Sequence, residues 1–251
     1  MRWGDIMIGS IQKAMAILMV LSNGQGLPVT LAQIAQETGY TKPTCSHILQ
    51  TLCAEGYAER ISHSAGYILG PSTFVLTRYG RYGQKWVSIR KPVLEEMEKQ
   101  TGVAITISII YGGKRFIVDV ADSAHRVFKN NEDIKMGKVY TTVPGRAILA
   151  QMDRDEIEQI YQKNGAPSPH EWEGVSNFEQ MLKELALYRD ENGVMIRRNE
   201  KISLAKPIFM DMNCVGAVGF SYPFQSEEHS AKMRSILMRG VKEIQRRLNY
   251  K

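Results

Sequence analysis

TLAQIAQETGYTKPTCSHILQTLCAEGY, residues 30–57, reads as two short helices joined by a tight turn. Thr30 is placed to cap the first helix, and Gln33 three residues on completes a capping box. Leu31, Ile34 and Ala35 give that helix a narrow apolar face. Gly39 supplies the left-handed residue that stops it. Lys42 precedes a proline, which pushes it out of the helical region, while Pro43 suits a first helical position. A second helix is therefore expected from Pro43.

On that second helix Cys45, Ile48, Leu49, Leu52 and Cys53 recur at spacings of three and four and form a buried side. The other side carries Pro43, Ser46, His47 and Gln50, with Thr44 at its margin. The order Ala35, Gly39, Cys45, Ile48 matches a helix-turn-helix: a small residue, the turn glycine, then two buried apolar positions. Base edges are read by short polar donors and acceptors, and glutamine can pair with adenine through two atoms. Ser46, His47 and Gln50 are expected to face the major groove of double-stranded DNA. Lys42 and Thr44 are expected to reach phosphate beside the backbone N–H groups of the helix start. The bland alternative is an amphipathic helix with a solvated face.

The chain has 251 residues, 43% of them hydrophobic, enough for one large or two modest cores. Its formal charge is +6, unevenly placed. Residues 1–94 hold nine Lys/Arg against four Asp/Glu, and residues 95–251 hold 23 against 22. The surplus comes from Arg78, Arg81, Lys85, Arg90 and Lys91, beside the two-helix stretch, where phosphate would draw it. Cys45, Cys53 and Cys214 have no metal or disulfide spacing, so a reduced, cytoplasmic protein is expected. The run AMAILMVL (14–21) has the length of a signal-peptide core but no small-x-small site after it, and reads as a buried helix. No stretch nears the roughly 20 apolar residues of a membrane span.

In chain order, Ser10 is expected to cap a helix from Ile11 to about Asn23, with Ile11, Ala14, Leu18 and Leu21 inward. After the two-helix stretch, Tyr57–Ile61 and Tyr67–Leu69 read as a hairpin, a wing whose Arg60 and His63 would lie along phosphates. Residues 72–91 read as a linker helix, weakened by Gly80 and Gly83, and Pro92 as the start of another helix. A hairpin around Tyr111-Gly112-Gly113 follows, then a strand near Arg126 to Lys129. MGKVYTTVPGRAILAQM passes from a strand through a turn into a helix. Helices from Asp153 and from Asn177 to Glu191, strands at 202–210 and 215–222, and a helix at 226–248 complete an α+β sensor-like domain.

These parts, in this order, resemble the isocitrate-lyase-regulator (IclR) family of bacterial transcription factors. The resemblance rests on GYTKPTCSHILQTLCAEGYAER (39–60), GYILGP (66–71), MGKVYTTVPGRAILA (136–150) and LAKPIFMDMNCVGAVGFSYP (204–223), and covers nearly the whole chain. It implies a winged helix-turn-helix domain (1–71), a linker helix (72–91) and a GAF-like effector-binding domain (92–251). It also implies homodimers or pairs of dimers, no cofactor and no catalysis, with repression the expected outcome of operator binding. His47 stands where the family usually has Arg, Val143-Pro144 where it has two small residues, Arg146 where it has Lys, and Ser203 where it has Cys.

The resemblance points to an effector site at the turn before Gly145. There Thr141 and Thr142 hydroxyls, helical N–H groups and Arg146 suit a small carboxylate, with Ser203 and Ser221 adding hydroxyls. An enzyme built on the sensor domain, or a helix-turn-helix that docks protein, are the other readings. The five histidines are scattered, Gly112-Gly113-Lys114 lacks the rest of a phosphate loop, and Glu95, Glu96 and Glu98 suit a helix start.

Overall fold

The computed structural model describes residues 8–24, 26–62, 64–77, 84–124, 139–189 and 193–249. The chain divides into two compact units, Met1–Gln84 and Lys85–Lys251, and the boundary in sequence falls inside the segment read as a linker.

The first unit holds α1 (Gly9–Asn23), α2 (Leu31–Thr38), α3 (Lys42–Ala54), β1 (Ala58–Ser62), β2 (Gly66–Leu69) and α4 (Pro71–Thr77). Ile17, Leu21, Ile34, Cys45, Leu49 and Leu52 form its buried centre. Ser10 lies within α1 rather than capping it, and Ile11 is 52% exposed while Ile17 and Val20 are buried. α1 is apolar nearly all round, so spacing alone could not select its inward face.

β1 and β2 pair antiparallel as the expected wing, with Arg60 opposite Tyr67. Val29 adds a short third rung, exchanging two backbone hydrogen bonds with Tyr67 at 2.8 and 2.9 Å. Gly66 makes this approach possible. A Cβ there would collide with the Val29 carbonyl, and its φ of +104° suits glycine.

The second unit holds α5 (Gln84–Thr101), β3 (Ile105–Tyr111), β4 (Lys114–Ala121), α6 (Val143–Leu149), α7 (Arg154–Asn164), α8 (Phe178–Tyr188), β5 (Val194–Arg198), β6 (Lys201–Met210), β7 (Asn213–Pro223) and α9 (Glu227–Asn249). Pro92 does not start a helix. α5 runs through it, because burial of Trp86, Val93, Leu94 and Met97, at about 1.5–3 kcal/mol each, offsets the roughly 3 kcal/mol that an interior proline costs. Residues 139–141 form a 3-10 turn, not a strand. β5 fills the stretch before β6 that had no expected structure. The strand expected near Arg126 to Lys129 lies outside the described residues, as do His63, Arg78 and Arg81.

The sheet is antiparallel, in the order β4-β3-β7-β6-β5. Its two faces differ sharply. Ile105, Ile107, Ile202, Leu204, Phe220 and Tyr222 point to one face and pack with α5 and α9. Alternate residues, Thr106, Ser108, Ser203, Ala205, Ala217, Gly219 and Ser221, point to the other, which α6 covers in part. Pro144 of α6 seats on Gly219, where any side chain would collide with its ring. On the apolar side Arg90 is fully buried, stacked 4.3 Å from the Trp86 ring and 3.3 Å from the Asp119 carboxylate. Burial lowers Arg90 to about 10 and raises the Asp119 carboxyl, outweighing the attraction between the two charges.

Candidate functional site

The two-helix unit is fixed at both ends of its turn. Thr30 Oγ1 accepts from the Gln33 N–H at 3.3 Å, and Gln33 Oε1 accepts from the Thr30 N–H at 2.9 Å. Gly39 is left-handed, φ +72°, and its N–H returns to the Ala35 carbonyl. Thr38 adds a pin the sequence reading missed: its Oγ1 donates to the Ile34 carbonyl at 2.7 Å and lies 3.8 Å from Cys45 Sγ. α2 and α3 are therefore joined by a Thr38–Cys45 polar contact as well as by their shared core.

α3 begins one residue earlier than its sequence suggested. Thr41 is the cap, accepting from the Thr44 N–H at 3.4 Å, with Lys42 the first helical residue and Pro43 the second. Once Thr41 supplies that cap, a proline in the first turn breaks no helical hydrogen bond, so the chain enters the helix before it. Thr44 Oγ1 turns to Thr41 Oγ1 at 2.9 Å. Lys42, Pro43, His47 and Gln50 are exposed, and Thr44 and Ser46 are half-buried at the edge of the same face. Arg60 is exposed on the wing, its guanidinium 5.6 Å from the Tyr67 ring centre. The unit thus presents one helix face of short polar groups, braced from behind by Cys45, Leu49 and Leu52.

In the second unit, two adjoining cavities of about 650 and about 520 Å³ open on the small-residue face of the sheet. Thr141, Val143, Lys201, Ser203 and Ser221 border both. Ser203 and Ser221 face each other in register across β6 and β7, hydroxyls 2.8 Å apart. Arg146 and Arg198 border the larger cavity, and Thr142, Thr106 and Arg115 the smaller. Lys201, Arg198 and Arg115 were not singled out by sequence, since only strand pairing brings them to one place.

Three expected residues do other work. Gly145 borders neither cavity; it is buried beneath the Val139 carbonyl, which leaves no room for a side chain. Thr142 Oγ1 accepts from the Gly145 N–H at 3.3 Å, so the cap uses the donor that was assigned to an anion. Arg146 is 5% exposed and committed to the protein. Its Nε donates to the Tyr140 carbonyl at 2.7 Å, Nη2 donates to the Glu171 carbonyl, and the guanidinium sits 4.3 Å from the Trp172 ring. Burial lowers its pKa and raises those of Tyr188 and, to about 12, Tyr140.

Among the described residues no group of three or more His, Cys, Asp and Glu could hold a metal ion. No described helix is long and apolar enough to cross a membrane.

Residues 10–62 match the IclR helix-turn-helix domain, and residues 84–246 match the bacterial transcriptional regulator IclR C-terminal domain. The HTH-type transcriptional regulator KdgR of Escherichia coli (strain K12) is 22% identical over 251 residues, 97% of this chain and 94% of that protein. The transcriptional repressor IclR of the same organism is 17% identical over 160 residues, and the match spans 63% of this chain and 58% of that repressor. An IclR homolog from Microbacterium hydrocarbonoxydans, crystallised with 4-hydroxybenzoate, shares the fold over 95% of this chain and 98% of its own, with 14% identity and a TM-score of 0.70. Proteins of this kind are transcriptional regulators rather than enzymes. With a braced two-helix unit and wing ahead of a cavity-bearing sheet domain, and both domains matched, the chain belongs to the IclR family of bacterial transcriptional regulators.

Proposed function

We propose that this regulator is a cytoplasmic repressor that binds a duplex operator as a homodimer, alone or in pairs, and changes its grip when a small carboxylate enters the C-terminal cavity. The observation that carries this reading is the exposed polar face of α3, with His47 and Gln50 outward and both helix starts capped. Such a face presents bidentate and single hydrogen bonds to base edges at a fixed angle. Lys42 and Arg60 are exposed beside it and suit phosphate.

Several features support the effector. The polar side chains around the cavities are mostly hydroxyls and cations, with Glu200 the one acid among the described residues around both chambers. A relative was crystallised with 4-hydroxybenzoate, an aromatic carboxylate. Two relatives are named as repressors.

The test uses the purified chain on DNA from upstream of its own gene, with and without a panel of small carboxylates that includes 4-hydroxybenzoate. Binding should weaken steeply with salt, and one carboxylate should shift operator affinity. Linkage requires that this ligand favour one arrangement of the DNA-reading units over another. Lys201→Ala and Ser203→Ala should blunt the shift. Failure to bind any upstream duplex at low salt overturns the DNA reading; a shift that survives both substitutions places the effector elsewhere.

A further inference from the structure

The register of β5, β6 and β7 sorts the wall of the larger cavity into rows. Arg198, Lys201 and Pro223 form the outermost row, and Ile196, Ser203 and Ser221 the next. Successive rows lie two residues apart along the strands, about 7 Å. All six residues border that cavity, and Val143 of α6 adds an apolar side to it.

The outer row carries an unfavourable pair. Arg198 and Lys201 stand directly opposite each other across the β5–β6 hairpin, both exposed, and like charges so placed repel. Among the described residues neither is in an ion pair. The Arg198 Nη1 donates to the neutral His170 carbonyl at 3.1 Å. Arg146 borders the same cavity, near enough that the Arg198 charge helps to lower its pKa. Glu200, in the hairpin turn, is the one acid among the described residues lining it. In the next row the Ser203 and Ser221 hydroxyls lie 2.8 Å apart. One donates to the other, which leaves the pair one O–H and open lone pairs for a guest.

We infer that the larger chamber takes a hydroxy or oxo acid, its carboxylate held between Arg198 and Lys201 and its second oxygen on the Ser203–Ser221 pair. The inference rests on the effector reading above and adds to it the ligand class and Arg198 as a selecting residue.

A carboxylate between two opposed cations screens their repulsion and forms charge-assisted hydrogen bonds with both. A plain acid stops there, and its carbon chain displaces water from the serine pair without replacing the hydrogen bonds. An acid with a hydroxyl or oxo oxygen one row further in meets both rows, while Ile196, Val143 and Pro223 flank its carbon.

The test is titration calorimetry on the full chain with the hydroxybenzoates and with straight-chain hydroxy acids from glycolate to hydroxyhexanoate. Each is paired with its deoxy acid and its amide. At least one hydroxy acid should bind about tenfold or more tighter than its deoxy acid, the scale of a buried hydrogen bond left unmade. Arg198→Gln should weaken hydroxy and deoxy acid alike, leaving their ratio and the binding of the amide unchanged. Arg198→Lys should restore part of the loss. The double variant Ser203→Ala, Ser221→Ala should erase the preference for the hydroxy acid and leave the deoxy acid no weaker.

A hydroxy acid that binds no better than its deoxy acid, or a preference that survives the serine double variant, overturns the inference. So does an Arg198→Gln variant that binds the acid as before, or whose loss is shared by the amide, as a merely structural tie to His170 would give. If the serine variant fails to fold, the wild-type comparison and Arg198→Gln decide. Deoxy acids that bind as tightly as hydroxy acids and weaken in Lys201→Ala refute this inference and leave the effector reading standing. Absence of binding by every acid in the series refutes both.

Discussion

The Arg146 guanidinium lies 4.3 Å from the Trp172 ring centre, and the Tyr188 ring stacks on the same indole at 6.0 Å. The arrangement joins α6 to the segment before α8, and it ties Arg146, at the wall of the larger cavity, to the protein. Arg146→Ala would strand the carbonyls of buried Tyr140 and half-buried Glu171 and remove a desolvated cation–π contact. The expected cost is about 2–4 kcal/mol. Urea denaturation checks it: the midpoint should fall with the slope unchanged, and an unmoved midpoint would show that the guanidinium is free to serve a ligand.

Gln50 and His47 are exposed, so removing either should leave the fold intact and act on DNA alone. Gln50→Ala should cost about 1–3 kcal/mol on the preferred operator and relax base preference at one position. Fluorescence anisotropy at fixed salt, on operators substituted base by base, provides the measurement. If both alanine variants keep wild-type discrimination, α3 does not present this face to the groove.

Much of the first unit was legible because its signals are local. A capping box at Thr30 and Gln33, a turn glycine at Gly39 and one apolar stripe on α3 each involve residues within four of one another. α1 was harder, since Met15 and Met19 are as apolar as Ile17 and Val20, yet only the latter pair is buried. The hydroxyls around the cavities were legible one by one but not as a shape. Ser203 and Ser221 meet because of strand register, and Arg115 reaches Ser108 across a hairpin. Thr142 and Gly145 looked like an open anion site because sequence cannot show that a cap has already taken the donor. β5 escaped notice because Met195, Ile196, Arg197 and Arg198 do not alternate in polarity.

Burial outweighs attraction in the Arg90–Asp119 pair, so its presence adds little stability, while breaking it should be costly. Arg90→Met leaves a buried carboxylate and Asp119→Leu a buried guanidinium; each should destabilise by about 3–5 kcal/mol. The double variant should recover most of that loss, since it buries no lone charge. A double variant as unstable as the sum of the single ones would mean that the two charges act independently, and that an unpaired buried charge is not what makes the single variants costly. Thermal and urea unfolding of the three proteins decide between these outcomes.

Dimer formation is expected to use the exposed apolar residues of α4. Phe74, Val75 and Leu76 are 57%, 67% and 66% exposed, three consecutive apolar side chains with no buried residue in their helix. A helix that small gains little from facing water, and covering it with a second copy would bring two recognition helices onto one operator. One α3 reads only a few base pairs, so two copies spaced by about 34–36 Å, or a multiple of it, would read a near-palindromic site. Phe74→Asp should therefore shift the chain toward monomer in sedimentation velocity and weaken operator binding. Its affinity for an isolated half-site should be unchanged, because Phe74 is not on the face of α3 that reads bases. A variant that remains dimeric, or a wild type that sediments as a monomer both free and on DNA, would move the interface away from α4 or abolish the dimer.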